Sequence, residues 1–279
     1  MSDNLTLGFS PCPNDTYIFY ALVHNHIPLQ QLCFAPPILA DVETLNSLAL
    51  KAQLDVTKLS FHALGHVLDD YIMLSAGAAL GRGCGPLLVT RPGPSPDMQR
   101  AAIAIPGTYT TAALLLRLFA SEADNLHVMR FDEIMPAVLA GKVDAGVIIH
   151  ESRFTYQGLG LVPIRDLGEW WEDLTGLPIP LGCIAVRRNL PKEITARVDL
   201  AVQASLQWAR QHPDQCMGYI RQHAREIRDS VLQSHIGLYV NDFSLGIGNE
   251  GREAVRELLR RGRAAGIFPE GRTTGICVE

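Results

Sequence analysis

The sequence lacks long apolar runs and long basic runs. No apolar stretch in its 279 residues approaches the roughly 18 to 20 residues that span a bilayer. No run of Lys or Arg exceeds two residues, and the formal net charge is -5. These absences argue against a membrane partner or a nucleic-acid partner. We therefore expect the ligands to be small molecules.

Paired cysteines and a signal-like N-terminus are also missing. The six cysteines lie singly, without the CxxC spacing of a metal or redox pair, so we expect reduced thiols. His62 and His66 stand four residues apart on a predicted helix, but no third ligand is recognisable beside them, and we predict no metal site. Residues 1–5 carry no basic region and no signal segment follows, which predicts a cytoplasmic protein.

Short apolar runs alternate with amphipathic stretches, which is the order of an α/β protein. The order strand, helix, strand, helix, strand occurs at residues 5–59, with its middle strand predicted at 32–35. After a Pro- and Gly-rich segment at 91–96, the same order recurs at 102–149. The sequence thus predicts two similar units.

The two units match most closely at their last helix and strand. Residues 48–56 (LALKAQLDV) and 138–145 (VLAGKVDA) share the order helix end, turn, Asp, strand. Ser60 and His150 then fall at nearly equivalent strand ends. Because ligands of open α/β sheets bind beyond the carboxyl ends of the strands, we expect both residues to face one cleft.

The rest of the chain completes the predicted lobes. Residues 180–186 have the pattern of a strand that returns to the first unit, and the helices predicted from about residue 193 pack on that unit. We predict two α/β lobes, each a mixed sheet flanked by helices, joined by a two-strand hinge with crossings near residues 90 and 184. The larger lobe is predicted to contain residues 1–90 plus 184–279, and the smaller lobe residues 91–183.

Two strand-to-helix loops are candidate anion sites. Residues 9–16 and 105–111 are rich in Pro, Ser, Thr or Asn, and each opens a helix whose first N–H groups are unpaired. We predict that Asn14, Thr110 and Thr111 bind a small carboxylate substrate, with the Thr hydroxyls as additional donors. The alternative is that these residues only cap their helices.

Lys58 and His150 are the candidate charged and titrating groups. Lys58 lies in an apolar strand, where an unpaired ammonium is costly, so it pairs with a substrate carboxylate, pairs with Asp15 or Asp55, or extends to water. His150 ends a buried strand, and imidazole titrates near neutral pH, which suits a general base. The alternative for His150 is a structural, hydrogen-bonded histidine.

Three other motifs carry weaker signals. Cys12 precedes a predicted helix, but the prolines on both sides favour a rigid turn over a nucleophile. Trp170 and Trp171 either stack on an aromatic substrate or pack in the core. The Gly-rich segment 81–85 lacks both nucleotide fingerprints, so no nucleotide cofactor is predicted.

Several segments also carry a family resemblance along nearly the whole chain. They are SPCPNDT at 10–16, TKLS at 57–60, GAALGRGCGP at 77–86, PG at 106–107 with TTA at 110–112, IHESRFTY at 149–156, WWE at 170–172 and YVNDFS at 239–244. Together they resemble the 1,4-dihydroxy-6-naphthoate synthases of the futalosine route to menaquinone.

The resemblance implies a two-lobed fold like that of type II periplasmic binding proteins, used inside the cell as a carbon–carbon lyase without a cofactor. It implies cyclic dehypoxanthinyl futalosine as substrate, and 1,4-dihydroxy-6-naphthoate and dihydroxyacetone as products. By the same resemblance His150 is the proton acceptor, and the substrate contacts are Lys58, Leu59, Ser60, Thr111 and Ala112. Two rival functions are a cytosolic solute-binding or sensor module and a chorismate dehydratase. The sequence predicts no oligomeric state.

Overall fold

The apolar runs of the sequence form short, buried strands. The computed structural model describes residues 4–29, 31–225, 228–272 and 274–278. The strands found in these ranges are β1 (Leu7–Phe9), β2 (Ile38–Leu39), β3 (Val56–Ser60), β4 (Tyr71–Met73), β5 (Ala79–Gly81), β6 (Leu87–Thr90), β7 (Ile103–Ile105), β8 (Leu126–Val128), β9 (Ala145–Ile148), β10 (Val162–Asp166) and β11 (Ile179–Arg187).

Helices cover both sheets and make up most of the C-terminal part. They are α1 (Pro13–Val23), α2 (Val42–Leu50), α3 (Phe61–His66), α4 (Thr111–Phe119), α5 (Phe131–Leu139), α6 (Leu167–Thr175), α7 (Lys192–Gln211), α8 (Pro213–His223), α9 (Asp229–Tyr239), α10 (Asp242–Leu245) and α11 (Gly248–Ala264). Two 3-10 segments, His150–Phe154 and Tyr156–Leu159, follow β9. In the described ranges, no helix combines the length and the apolar character that crossing a membrane requires.

The strands pair into two mixed sheets. The first has the order β2-β1-β3-β11-β4, with β5 also paired to β11, and the second has the order β10-β6-β9-β7-β8. In the first sheet β1 runs parallel to β2 and β3, and in the second β7 runs parallel to β8 and β9. The predicted repeat is therefore present as two matching βαβαβ units, and the prediction of two mixed α/β lobes is confirmed.

The middle strand of the first unit lies later than predicted. It is β2 at Ile38–Leu39, whereas the segment predicted at 32–35 contributes only a bridge between Phe34 and Leu5. Pro36 and Pro37 separate the two places, and proline cannot donate to a ladder. The pairing of β2 with β1 therefore begins only after the prolines.

The chain passes between the sheets twice. Because β6 pairs with β9 and β11 pairs with β3, the crossings lie at residues 82–86 and 167–178. These positions precede those predicted near 90 and 184 by several residues, since the apolar pattern of a short strand does not reveal which sheet it joins. The bounds of the lobes stay a prediction.

The C-terminal helices pack on the first sheet's helices, as the predicted architecture requires. Helices α7, α8 and α9 all contact α1. One buried side chain fastens this packing, because Ser205 Oγ donates to Ile18 O at 2.6 Å and accepts from Leu22 N at 3.0 Å. Helix α9 meets the N-terminal end of α1 through His235 and Asn14, a contact that matters for the site.

Candidate active site

A cavity of about 650 Å³, partly open to solvent, receives residues from both sheets. The carboxyl ends of β3 and β9 reach it, as do the first turns of α1 and α4. Every site residue predicted from the sequence lines this cavity: Asn14, Lys58, Leu59, Ser60, Thr110, Thr111, Ala112 and His150. Chain segments far apart in the sequence thus meet in one place.

Lys58 forms a buried ion pair with Asp15. Its Nζ donates to Asp15 Oδ1 at 2.7 Å, and the two residues are only 5% and 1% exposed. The other oxygen, Asp15 Oδ2, accepts from Ser10 Oγ at 2.7 Å and Ser10 N at 3.2 Å. Of the partners left open by the sequence, the structure shows Asp15. An ammonium has three N–H donors, so Lys58 retains donors for a ligand in the cavity.

The Asn14 amide is occupied at both ends. Asn14 Nδ2 donates to Asp15 Oδ1 at 2.8 Å, and Asn14 Oδ1 lies 3.0 Å from Nε2 of His235. Asn14 thus lines the cavity while its amide serves the protein's own network. Sequence reasoning did not identify His235, because it lies 221 residues from Asn14 on α9 and belongs to no motif.

The hydroxyl groups of Thr110 and Thr111 are engaged within the protein. Thr110 caps α4, since its Oγ1 accepts from Ala113 N at 3.2 Å and donates to Gly107 O at 2.9 Å. Thr111 Oγ1 donates to Leu181 O on β11 at 2.6 Å. In this structure both hydroxyl protons have acceptors within the protein, so the binding of a carboxylate by Thr110 and Thr111 stays a prediction.

The backbone at the start of α4 is the donor that remains. The first N–H groups of an α-helix have no intrahelical acceptor, and those of Thr111 and Ala112 occupy this position. The same helix end carries a partial positive charge. The cavity therefore combines an anion-binding helix end with the ammonium of Lys58.

Asn46 anchors the end of β3. Its Oδ1 accepts from Ser60 N at 3.0 Å, while its Nδ2 lies 3.2 Å from both Ser60 Oγ and Tyr109 O. Asn46 thus joins the end of β3 to the loop that leads into α4. Among the described residues the Ser60 hydroxyl proton has no acceptor, which leaves it for a ligand.

His150 stands at the cavity wall immediately after β9. Its φ is 56°, a left-handed backbone conformation that a residue with a Cβ rarely adopts. The ring meets Phe131 edge-on with centroids 5.2 Å apart and lies nearly parallel to His235 at 6.0 Å. No hydrogen bond to the His150 ring occurs among the described residues. The structure therefore does not show the hydrogen-bonded, structural histidine that the sequence left open.

Burial governs the charge of His150. Removal from water lowers the pKa of His150 to about 4, while the carboxylate of Asp15 opposes this shift and the ammonium of Lys58 adds to it. The imidazole is therefore neutral near pH 7. A neutral imidazole has a free lone pair and can accept a proton from a bound molecule.

Comparisons with known proteins identify the family of the chain. The menaquinone biosynthesis family profile matches residues 5–264. The 1,4-dihydroxy-6-naphthoate synthase of Thermus thermophilus is 49% identical over 267 residues, covering 94% of this chain and 95% of the relative. The chain belongs to the menaquinone biosynthesis family. The enzyme of the same name from Streptomyces coelicolor is 45% identical over 276 residues, covering 96% of each chain. The family resemblance noted in the sequence is confirmed.

Solved structures extend the comparison to the fold. Protein AF1704 from Archaeoglobus fulgidus superposes on this family member with a TM-score of 0.90 at 35% identity, covering 96% of this chain and 99% of its own. The Candida albicans CA3427 product, described as having the generic periplasmic binding protein fold, gives a TM-score of 0.67 at 12% identity, covering 98% and 94%. The menaquinone biosynthesis family member therefore has a periplasmic-binding-protein-like fold, as predicted.

The His62 ring contacts the residue that caps α4. Its Nδ1 lies 3.1 Å from Thr110 O, and the ring is 2% exposed. His66 lies beside it with ring centroids 5.3 Å apart. In the part of the chain that the structure describes, no three His, Cys, Asp or Glu side chains are arranged to hold a metal. His62 thus supports the start of α4.

Cys12, Trp170 and Trp171 all pack within the protein. Burial raises the pKa of the Cys12 thiol well above its usual range, so it stays protonated at the start of α1. Trp171 is fully buried and its Nε1 donates to Pro178 O at 3.1 Å, while Trp170 packs against Phe119. None of these side chains lines the cavity. The packing interpretation applies to both tryptophans in this family member.

A wider cleft adjoins the cavity. It encloses about 1570 Å³ including open solvent, and it shares Val42, Ile149 and His150 with the cavity lining. His150 therefore lies between the inner cavity and the outer cleft. A molecule that enters the cavity from this side passes the imidazole.

Proposed function

We propose that this family member is a 1,4-dihydroxy-6-naphthoate synthase, a carbon–carbon lyase that acts in the cytoplasm without a cofactor. Its substrate would be cyclic dehypoxanthinyl futalosine, and its products 1,4-dihydroxy-6-naphthoate and dihydroxyacetone. The observation that carries the proposal is a neutral, unbonded imidazole beside a buried ammonium and an open helix end in one cavity. The names of the two curated relatives support the reaction.

The start of α4 and Lys58 serve as the anion site of the proposed enzyme. The N–H groups of Thr111 and Ala112 hold the aromatic carboxylate, and the Ser60 hydroxyl adds a donor. The Lys58 ammonium balances negative charge that appears on the substrate. Charge-assisted hydrogen bonds of this kind are about twice as strong as neutral ones.

His150 is the proton acceptor of the proposed reaction. It removes a proton from carbon next to a carbonyl, so that negative charge moves onto the carbonyl oxygen. The Lys58 ammonium stabilises this enolate, because its bond to Asp15 orients it before the charge forms. The carbon–carbon bond to the sugar-derived part then breaks, and formation of the aromatic ring drives the step.

Closure of the two lobes excludes water from the reaction. The crossings at residues 82–86 and 167–178 are the only covalent links between the sheets in the described chain, so they form the hinge of the proposed motion. A closed cavity strengthens each hydrogen bond to the enolate, because fewer water molecules compete.

The test is to incubate the purified protein with cyclic dehypoxanthinyl futalosine and to follow the naphthoate chromophore together with released dihydroxyacetone. The wild-type protein should form both products in equal amounts, and His150→Ala should bind substrate without turning it over. Substrate bound but unchanged by the wild-type protein would identify a solute-binding or sensor module instead. Turnover of chorismate in place of the cyclic substrate would identify a chorismate dehydratase.

A further inference from the structure

His235 lies directly behind the cavity without lining it. It is fully buried on α9, and its ring is nearly parallel to the His150 ring, with 6.0 Å between centroids. On its other side the ring packs against Tyr239 at 4.6 Å. The His235 ring therefore does not face the cavity, and it can affect a bound molecule only through the residues that it contacts.

The hydrogen bond to Asn14 determines the tautomer of His235. The Asp15 carboxylate can only accept, so the Asn14 amide must direct its NH₂ group to Asp15 and its oxygen to His235. Nε2 of His235 therefore carries the proton and donates across the 3.0 Å contact. Nδ1 is then an acceptor, and within the described ranges this buried atom has no partner.

An orphaned nitrogen in the core needs an explanation. Burial lowers the pKa of His235 well below its ordinary value, and the neighbouring His150 and Lys58 act in the same direction, so the ring is neutral. A phenylalanine would place a ring here without an unpaired polar atom. What phenylalanine lacks is the N–H that reaches Asn14.

The hydrogen bonds continue from Asn14 through Asp15 to the Lys58 ammonium in the cavity. Asp15 Oδ1 accepts from Asn14 at 2.8 Å and from Lys58 at 2.7 Å. Without the His235 donor, Asn14 Oδ1 is buried with no partner, and the amide is free to turn its oxygen toward the Asp15 carboxylate. Repulsion between these oxygens would displace Asp15, and Lys58 would move with it.

We propose that His235 is a positioning residue, which acts through Asn14 and Asp15 to hold the Lys58 ammonium at the cavity wall. This inference rests on the proposed function in one respect, namely that Lys58 acts on the bound substrate. The hydrogen-bonded chain itself belongs to the free protein and is measurable without turnover.

The variants separate the N–H donor from the bulk of the ring. His235→Phe keeps a ring and removes the donor, and His235→Gln keeps an N–H donor and removes the ring. His235→Leu is a second donor-free variant in case the phenylalanine is not accommodated. His127→Phe, at an exposed position on β8, is the matched control.

We expect the donor-free variants to lose about tenfold or more in kcat/KM, the effect of one orphaned buried polar group. His235→Gln should stay within about threefold of wild type. Asn14→Leu should lose as much as His235→Phe, and combining the two should add little, because both interrupt one chain. Equal losses in His235→Gln and His235→Phe, or fully additive losses with Asn14→Leu, would overturn the proposal.

Nitrogen-15 NMR of the Lys58 ammonium tests the chain in the free protein. A buried, paired ammonium exchanges its protons slowly, so its signal should be present in wild type and His235→Gln and absent or strongly shifted in the donor-free variants. An unchanged Lys58 signal in His235→Phe would reject the positioning role. If the Lys58 signal follows this pattern across the variants but the wild-type protein does not turn over the substrate, the proposed function is rejected and the positioning role remains.

Discussion

Gly85 and Gly168 pack backbone against backbone where the two crossings meet. A Cβ added to Gly85 would lie 2.2 Å from the Cα of Gly168, and a Cβ added to Gly168 would lie 2.7 Å from the Cα of Gly85. Backbone atoms cannot relieve such a clash by rotating away, as the end of a flexible side chain can. The two glycines therefore set how closely the crossings approach each other.

Arg153 connects this contact to the segment that carries His150. Its guanidinium donates to Gly85 O and to Asp166 Oδ2, each at 2.6 Å. Asp166 in turn caps α6, since its Oδ1 accepts from Gly168 N at 2.9 Å. The 3-10 segment His150–Phe154 is thus bonded directly to the first crossing and, through Asp166, to the second.

Gly85→Ala is expected to destabilise the protein. The added Cβ collides with the backbone of the other crossing, and overpacking of this kind costs about 1 to 3 kcal/mol or more. Urea denaturation gives the free energy of unfolding. Gly218→Ala is the control, because a Cβ on this helical glycine meets nothing within 4 Å and should stabilise by up to about 1 kcal/mol. Equal unfolding free energies for the two variants would contradict this account of the hinge.

Breaking the Lys58–Asp15 pair is expected to be costly in stability. Asp15→Leu leaves the ammonium buried without its partner, and loss of one member of a buried pair costs about 3 to 5 kcal/mol. The double variant Asp15→Leu with Lys58→Met removes both charges, so the part of the loss that comes from the unpaired ammonium should return, while the donors of Ser10 and Asn14 stay without Asp15. Activity should not return, since the ammonium is gone. A double variant that is no more stable than Asp15→Leu would contradict the ion-pair account.

The fold could be predicted because the periodicity of apolar residues in a helix or strand is a local property of the sequence. Helix and strand periodicity over a few residues reports which faces are buried, and the repeated order of residues 5–59 and 102–149 then placed Ser60 and His150 at matching strand ends. The cavity contains all the predicted residues for that reason. The crossings were placed only to within several residues, because the same apolar pattern in β6 suits either sheet.

The hydrogen-bond partners within the site were not predictable, because they depend on how distant elements pack. Nothing near Thr111 in the sequence indicates that its hydroxyl reaches Leu181 O, which a register shift in the pairing of β11 with β5 leaves beside α4. The contact between His235 and Asn14 is of the same kind. Propensity and spacing carry no information on such contacts.

Thr111→Val tests the bond between the second lobe and β11. Valine keeps the shape and removes the hydroxyl, so the bond to Leu181 O is lost, which costs about 0.5 to 1.5 kcal/mol. We expect a rise in KM of up to about tenfold with a smaller change in kcat, since the first-turn N–H groups remain. Thr111→Ser retains the hydroxyl and should behave like wild type. A valine variant whose KM equals that of the wild-type protein would contradict a role for this bond.

The pH dependence of activity follows from the burial of His150. Its pKa of about 4 places the loss of the neutral base near pH 4 to 5, well below the usual range of histidine. The charged groups acting on it are Asp15 and Asp41, which raise its pKa, and Lys58, which lowers it. On the acid side kcat/KM should therefore stay level from pH 7 to about pH 5. A fall centred near pH 6.5 in the wild-type protein would contradict an imidazole that its surroundings hold neutral.

The stability of the protein should also depend on a histidine that the fold keeps neutral, but its decrease should begin at a higher pH than the loss of activity. Burial lowers the pKa of His62 to about 4, whereas its value in the unfolded chain is 6.5. Between these values the unfolded state binds the extra proton, so the free energy of unfolding is highest above pH 6.5 and decreases as the pH falls, by at most about 1.4 kcal/mol per pH unit for this residue. His62→Gln removes this contribution to the pH dependence. Urea denaturation between pH 7 and pH 4.5 should then show a shallower decline in the free energy of unfolding than in the wild-type protein. Parallel declines would show that His62 is not held neutral by the fold.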